Sequence, residues 1–86
     1  MASKATLLRE EWSRRAAKTL VGRTIVAARY LDDGELADCG WDRSCLAVFL
    51  DDGSHLMPSQ DDEGNGPGAL FFDGTDKNSS QTFGVI

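Results

Sequence analysis

Two apolar segments joined by Asp-Asp-Gly-Ser, residues 44–58, constrain the fold of this 86-residue chain more than any other feature. Asp52 and Gly53 stand between the apolar runs SCLAVFL and HLMP. This is a strong hairpin signal, because aspartate and glycine tolerate the positive φ of a two-residue type I′ turn. Such a turn predicts the cross-strand pairs Leu50–His55, Phe49–Leu56 and Val48–Met57.

Both faces of this predicted hairpin are apolar. Successive side chains of a strand point to opposite faces, and a strand that is apolar on both faces is usually covered on both. We therefore expect the N-terminal helix to cover one face, and a sheet curled into a small barrel or a second copy of the chain to cover the other. In the predicted register, one face carries Ala47, Phe49 and Leu56, and the other carries Leu46, Val48, Leu50 and Met57.

The N-terminal segment predicts an amphipathic helix over residues 5–21. Its apolar side chains recur at every fourth position, which places them in one stripe on a helix. Ser3 or Thr6 can cap the start, and Gly22 stands where a helix commonly ends. The stripe consists of Leu8, Trp12, Ala16 and Leu20.

The remaining segments predict short strands and one short helix. Asp32 or Asp33 can cap a helical turn that runs to Cys39 and ends at Gly40. The chain is then α+β, a single domain over residues 1–86. Its amphipathic N-terminal helix packs on a small, curved antiparallel sheet of about four strands, and a small SH3-like barrel is the alternative. The further strands are expected within 23–31, 69–72 and 81–86.

Charge is divided unevenly along the chain, whose net charge is −5. Residues 1–23 carry a net charge of +4 and residues 24–86 a net charge of −9. An acidic body repels phosphate, so nucleic acid is an unlikely partner. The basic helix and acidic body favour a small interaction module that forms a homodimer or docks on a protein partner. Exposed apolar residues, Phe71 and Phe72 among them, would form the dry centre of that interface.

The sequence predicts a cytoplasmic, complete chain that does not enter a membrane. It has no apolar run of the roughly 18 residues that span a bilayer. The basic N-terminal helix contains Glu10 and Glu11, whereas transit peptides are poor in acids. Cys39 and Cys45 are too few for a disulfide framework and, with His55, supply three of the four ligands that structural zinc needs.

The acidic, glycine-rich loop 61–66 is the candidate metal site. Adjacent carboxylates repel each other, and a divalent cation such as Ca²⁺ or Mg²⁺ would relieve the repulsion. The pattern matches only half of an EF-hand loop, because Phe72 occupies the position of the final bidentate glutamate. The rival interpretation is a solvated turn, since aspartate, asparagine and glycine are turn formers. The candidate ligands are Asp61, Asp62, Glu63 and Asn65.

Enzymatic activity is the least favoured interpretation. His55 would act as a general base oriented by Asp61 or Asp62. A chain of this size has little room for a pocket of several hundred cubic ångströms beside its core. We therefore assign no catalytic residue.

The order helix, LVGRTI, GWDR, LDDG and DDEGNGPGALF, over residues 20–72, resembles that of small bacterial proteins with a DDEGN-xx-GAL-type segment. The resemblance implies a small bacterial protein of unknown function. It implies no activity and no catalytic residue.

Overall fold

In the computed structural model, which describes residues 3–86, the chain folds into two helices and five strands. All strand pairs are antiparallel. Strands β1, β2 and β3 form one sheet in that order, and β4 pairs with β5 in a second sheet. The elements are α1 (Lys4–Leu20), β1 (Ile25–Tyr30), α2 (Asp33–Cys39), β2 (Leu46–Leu50), β3 (His55–Leu56), β4 (Leu70–Phe72) and β5 (Gln81–Phe83).

This arrangement confirms the predicted α+β class with an N-terminal helix. The strands do not form one sheet of about four, and the sheet does not close into the SH3-like barrel that was the alternative. Hydrogen bonding within residues 3–86 divides the strands into sheets of three and two. Short strands explain the division, because β3 has two residues and Pro58, which has no N–H to donate, follows it closely.

Helix α1 forms as predicted but contributes little to the core. Ser3 caps it by accepting a hydrogen bond from the Thr6 amide at 3.1 Å. The helix has 17 residues, and none of them is buried. The apolar stripe predicted to pack on the sheet is largely exposed, with Leu8 at 55% and Trp12 at 56% of their full accessible area.

Helix α2 is short and well capped, as its sequence predicts. The Asp32 carboxylate accepts from the Glu35 amide, and the Glu35 carboxylate accepts from the Asp32 amide, each at 2.9 Å. This reciprocal pair is a capping box. Gly40 ends the helix in the left-handed region with φ 73°, which residues with a Cβ rarely adopt.

The β2–β3 hairpin is present, but the predicted register is wrong by one residue. Phe49 pairs with His55 and Val48 pairs with Leu56. The turn spans Leu50 to Gly53, closed by the Gly53 amide on the Leu50 carbonyl, and Gly53 has φ 88°. A shift of one residue moves every β3 side chain to the other face. Leu56 therefore shares the face of Val48.

Both faces of β2 contribute buried side chains: Leu46 and Leu50 lie on the face of Val48, and the cluster on the opposite face is covered by α2. Cys45 and Ala47 are fully buried with Leu31, and Leu36 of α2 packs against them. The Cys45 thiol donates to the Pro58 carbonyl at 3.7 Å, and burial raises its pKa. The N-terminal helix was predicted to cover one face of the hairpin, but it is α2 that packs on this face, and the stripe of α1 is largely exposed.

Candidate functional site

The acidic loop is a closed structure held by its own backbone. Residues Ser59 and Pro67 form an isolated antiparallel bridge at its base. The Gln60 amide donates to the Gly66 carbonyl, and the Gly68 amide donates to the Pro58 carbonyl, both at 2.9 Å. These bonds fix the ends of the loop, so the acidic residues between them belong to an ordered turn.

Asp61 is the centre of this turn. One carboxylate oxygen accepts from the amides of Glu63 at 3.0 Å and Asn65 at 3.1 Å. The other oxygen accepts from Asn65 Nδ2 at 2.9 Å. These donors, the Asn65 side chain first, hold the pKa of Asp61 below its usual range. The carboxylate therefore organises the loop as an Asx turn does.

Trp41 fastens the loop to the body of the protein. Its indole Nε1–H donates to the Gly64 carbonyl at 2.9 Å, across 23 residues of sequence. Trp41 also packs against the buried core. Nothing in the local sequence around Trp41 indicates a partner so far along the chain, so this contact could not be predicted from it.

The predicted metal ligands do not converge. Among residues 3–86, no three side chains of histidine, cysteine, aspartate or glutamate are grouped as they would be around a metal ion. Asn65 presents its amide N–H group to the carboxylates of Asp61 and Glu63, at 2.9 and 3.5 Å, instead of an oxygen to a cation. Asp62 and Glu63 are exposed. The calcium or magnesium site predicted from the sequence therefore requires a direct titration.

His55 is not brought to the acidic loop. Its ring stacks on Phe49 with centroids 5.4 Å apart, and it lines an open cavity of about 400 Å³. The acidic residues of that cavity are Glu35 and Asp38, whereas Asp61 or Asp62 was the predicted partner. His55 is exposed, so its ring stacks on Phe49 at the surface of the sheet.

Phe71 and Phe72 lie on β4, in the two-stranded sheet. Phe71 is 76% exposed and Phe72 45% exposed, so both remain accessible to a partner. They line an open groove of about 360 Å³ together with residues of β5. The structure thus places this predicted apolar pair on the surface, in a groove that does not include the acidic loop.

A second exposed apolar surface is formed by one face of α1 together with Leu56 of the sheet. We call the apolar face of α1 the helix stripe. Trp12 forms one wall of a groove of about 290 Å³ whose other wall is Leu56. The Arg15 guanidinium lies over the Trp12 ring, 4.1 Å from its centroid. The helix stripe comprises Ala5, Leu8, Trp12, Ala16 and Leu20.

Leu56 also borders a neighbouring groove of about 260 Å³, which we call the sheet groove. Its walls are almost entirely apolar, because both β-sheets and the proline that ends the hairpin contribute aliphatic side chains. The two grooves therefore meet at one exposed leucine. The sheet groove is lined by Val48, Leu56, Met57, Pro58 and Leu70.

Comparison with family models, with curated protein sequences and with solved structures finds no match to this chain. The resemblance to small bacterial proteins with a DDEGN-xx-GAL-type segment stays a prediction. Within residues 3–86, neither helix has the length and apolar character that crossing a membrane requires.

Proposed function

We propose that the protein is a non-enzymatic self-association module that works as a homodimer. The proposal is supported by the accessible surface area of the chain, which is large for a protein of this mass. The chain exposes 6760 Å², whereas a compact monomer of 9.3 kDa exposes about 5,000 Å². The radius of gyration is 15.2 Å, against about 12 Å for a compact domain of this length.

The excess of about 1,800 Å² per chain is what a dimer interface can remove. Two copies together would bury about 3,600 Å², which falls within the range of obligate homodimers. Much of the exposed surface is apolar, as such interfaces are. The large apolar side chains that are exposed include Leu7, Leu8, Trp12, Val21, Ile25, Val26, Leu56, Phe71, Phe72 and Ile86.

The charge distribution supports a second copy as the partner. Residues 1–23 have a net charge of +4 and residues 24–86 a net charge of −9. Two copies arranged with the helix of each against the body of the other gain attraction at both contacts. A two-fold arrangement of this kind is closed, so it stops at the dimer.

A reducing compartment such as the cytoplasm suits this module. Cys39 and Cys45 are both free, and Cys45 is buried where it packs as a small apolar side chain. Association through apolar surface and ion pairs needs no disulfide between copies. The proposal therefore includes a cytoplasmic location.

Sedimentation equilibrium tests the proposal. We expect the mass to rise from monomer to dimer between low and high micromolar protein, and to fall back when salt is raised, because salt screens exposed charges. A monomer at every concentration would overturn the proposal. A dimer whose mass is independent of salt would contradict the electrostatic part.

Leu8 and Leu7 provide a matched pair of variants. They are 55% and 53% exposed, but only Leu8 lies on the helix stripe, since Leu7 is about 140° around the helix from Trp12. We expect Leu8→Ala to weaken dimerisation several-fold and Leu7→Ala to leave it unchanged. Equal effects of the two substitutions would show that the stripe is not the contact surface. Circular dichroism would check that both variants keep α1.

A further inference from the structure

Strand β1 is the longest unpaired edge of either sheet. In the order β1–β2–β3 it pairs with β2 on one side, and no strand of residues 3–86 lies along its other side. β1 has six residues, whereas β3, β4 and β5 have two or three each. An unpaired edge presents a row of backbone N–H and C=O groups with which a strand of another chain can pair.

The sequence of β1 lacks the residues that commonly protect such an edge. The strand, IVAARY, contains neither lysine nor proline, and five of its six residues are exposed. Ile25 and Val26 each expose 63% of their accessible area. A bulge between Ile25 and Ala27 interrupts the pairing with β2, so the regular part of the edge is residues 27–30.

The register with β2 shows which backbone groups of this edge point outward. The Leu31 amide donates to the Cys45 carbonyl at 3.1 Å, and bonding directions alternate along an antiparallel strand. The N–H and C=O groups of Ala28 and Tyr30 therefore point away from β2, while those of their neighbours bond to it. The Tyr30 carbonyl accepts from Arg29 Nη1 at 3.2 Å. Ala28 is thus the residue at which a further strand can both donate and accept.

We infer that β1 of one copy pairs antiparallel with β1 of the second copy, with Ala28 of each chain at the two-fold axis. This inference rests on the proposed self-association and adds the strand through which it occurs. The Ala28 amide of each copy donates to the Ala28 carbonyl of the other. The contact is therefore isologous and closed, and the two three-stranded sheets join into one sheet of six strands.

Steric fit and charge favour a second copy in this register. With Ala28 at the axis, Arg29 of each chain lies opposite the small Ala27 of the other. Moving the axis to Arg29 would set two arginines directly opposite each other, which destabilises a strand pair. Moving it to Ala27 would bring the bulge into the pairing. The strand is thus self-complementary in one register only.

The edge contact and the helix stripe are separate parts of the exposed surface. Pairing of β1 buries backbone groups and small alanine side chains, which account for a minor part of the excess area. The rest of that area belongs to large apolar side chains such as Leu8. Variants of Ala28 therefore test this inference, whereas Leu8→Ala tests the contribution of the stripe.

Ala28→Lys tests the pairing. It sets two ammonium groups beside each other at the axis, and natural edge strands use lysine against association. We expect the Kd of the dimer, measured by sedimentation equilibrium, to rise at least about tenfold. The control is Thr82→Lys, which adds the same charge at an exposed position of β5. We expect it to dimerise like the wild type, and an equal loss in both variants would overturn the inference.

Ala28→Pro is a second variant that leaves the charge unchanged. It removes the outward N–H, and an edge strand tolerates proline where that group faces solvent. We expect the monomer to keep its fold by circular dichroism and the dimer to weaken as in Ala28→Lys. Normal dimerisation of both Ala28 variants would overturn the inference and leave the self-association intact. A wild-type protein that stays monomeric would overturn both proposals.

A measurement on the wild-type protein makes the test independent of the variants' folding. Mixed labelled and unlabelled chains report only contacts between copies in an isotope-filtered nuclear Overhauser experiment. Ala27 and Arg29 of opposite chains would form a non-hydrogen-bonded pair, in which the Cα atoms are about 4.5 Å apart. We expect a cross-peak between Ala27 Hα of one copy and Arg29 Hα of the other. A dimer that lacks this cross-peak would overturn the inference.

Discussion

Arg29 and Glu35 join the first sheet to α2 through a bidentate ion pair. The Arg29 guanidinium donates to the two carboxylate oxygens at 2.7 and 3.0 Å. The same Glu35 carboxylate accepts from the Asp32 amide in the capping box. The Arg29 guanidinium also lies over the Phe49 ring, 4.6 Å from its centroid. The Glu35 carboxylate thus links the start of α2 to Arg29 of β1, and the same Arg29 side chain contacts Phe49 at the edge of the core.

Acid should weaken the fold through Glu35. The Arg29 hydrogen bonds, followed by the Asp32 amide, lower the pKa of Glu35 from 4.5 to about 2. A lowered pKa in the folded state stabilises the protein above the unfolded value, and this stabilisation is lost as pH falls toward the folded value. We therefore expect the melting-temperature difference between wild type and Glu35→Gln to shrink from pH 4.5 to pH 2.

The control for this prediction is Glu11→Gln on the exposed surface of α1. Its melting temperature should follow that of the wild type across the same acid range. A wild-type advantage over Glu35→Gln that stays constant down to pH 2 would contradict the assigned ion pair.

Trp41 should stabilise the acidic loop through its indole N–H. Replacing it by phenylalanine keeps an aromatic ring against the core and removes the donor to the Gly64 carbonyl. We expect the free energy of unfolding to fall by about 1 kcal/mol, as for other single hydrogen bonds. Urea titration would measure the change, and amide exchange at Gly64 and Asn65 should accelerate. Trp12→Phe, measured on dilute protein, should change neither quantity.

Local sequence signals predicted most of the secondary structure. The four-residue spacing around Trp12 predicts α1, and the Asp32 cap with Gly40 predicts α2, because both depend on residues close in the chain. The hairpin register was wrong because Asp-Gly also fits a longer turn, in which Gly53 alone takes a positive φ. A type I′ turn needs two such residues.

The long-range features of the candidate site could not be predicted in this way. The Trp41–Gly64 contact spans 23 residues, and the meeting of two grooves at Leu56 depends on how two sheets are placed. Amphipathic periodicity in α1 predicts a stripe that packs on the sheet, whereas the stripe is largely exposed, because a local pattern does not determine how far a helix lies over its neighbours. The role of Asp61 as a turn centre also depends on the direction in which the Asn65 amide points.

Calcium and magnesium should leave the acidic loop unchanged. The Asp61 oxygens already accept three hydrogen bonds from the chain, and Asn65 presents a donor toward the carboxylates. We expect the amide signals of Gly64 and Gly66 to stay fixed in a nitrogen–proton NMR titration with either ion. Saturable shifts confined to this loop would instead establish it as a metal site.

Asn65→Asp is the matched variant for the metal titration. It replaces the donor amide by a third carboxylate beside Asp61 and Glu63, and the resulting repulsion is relieved by a cation. We expect this variant to bind Ca²⁺ weakly but saturably. An unresponsive variant would mean that the loop cannot gather carboxylates around an ion even when the hydrogen-bond donor is removed.

Gly68 and Gly66 should differ sharply in their tolerance of alanine, although both lie in the closed acidic loop. A Cβ at Gly68 would come within 2.8 Å of the Ser59 carbonyl oxygen, a backbone atom at the base of the loop. The atoms nearest to a Cβ at Gly66 would be those of the Gln60 side-chain amide, with Oε1 at 2.7 Å. We expect Gly68→Ala to lower the free energy of unfolding by about 1–3 kcal/mol, as overpacking does. Gly66→Ala should cost much less, because the Gln60 side chain can rotate away. Urea unfolding of the two variants measures the difference, and equal costs would show that the loop closes less tightly than its bridge indicates.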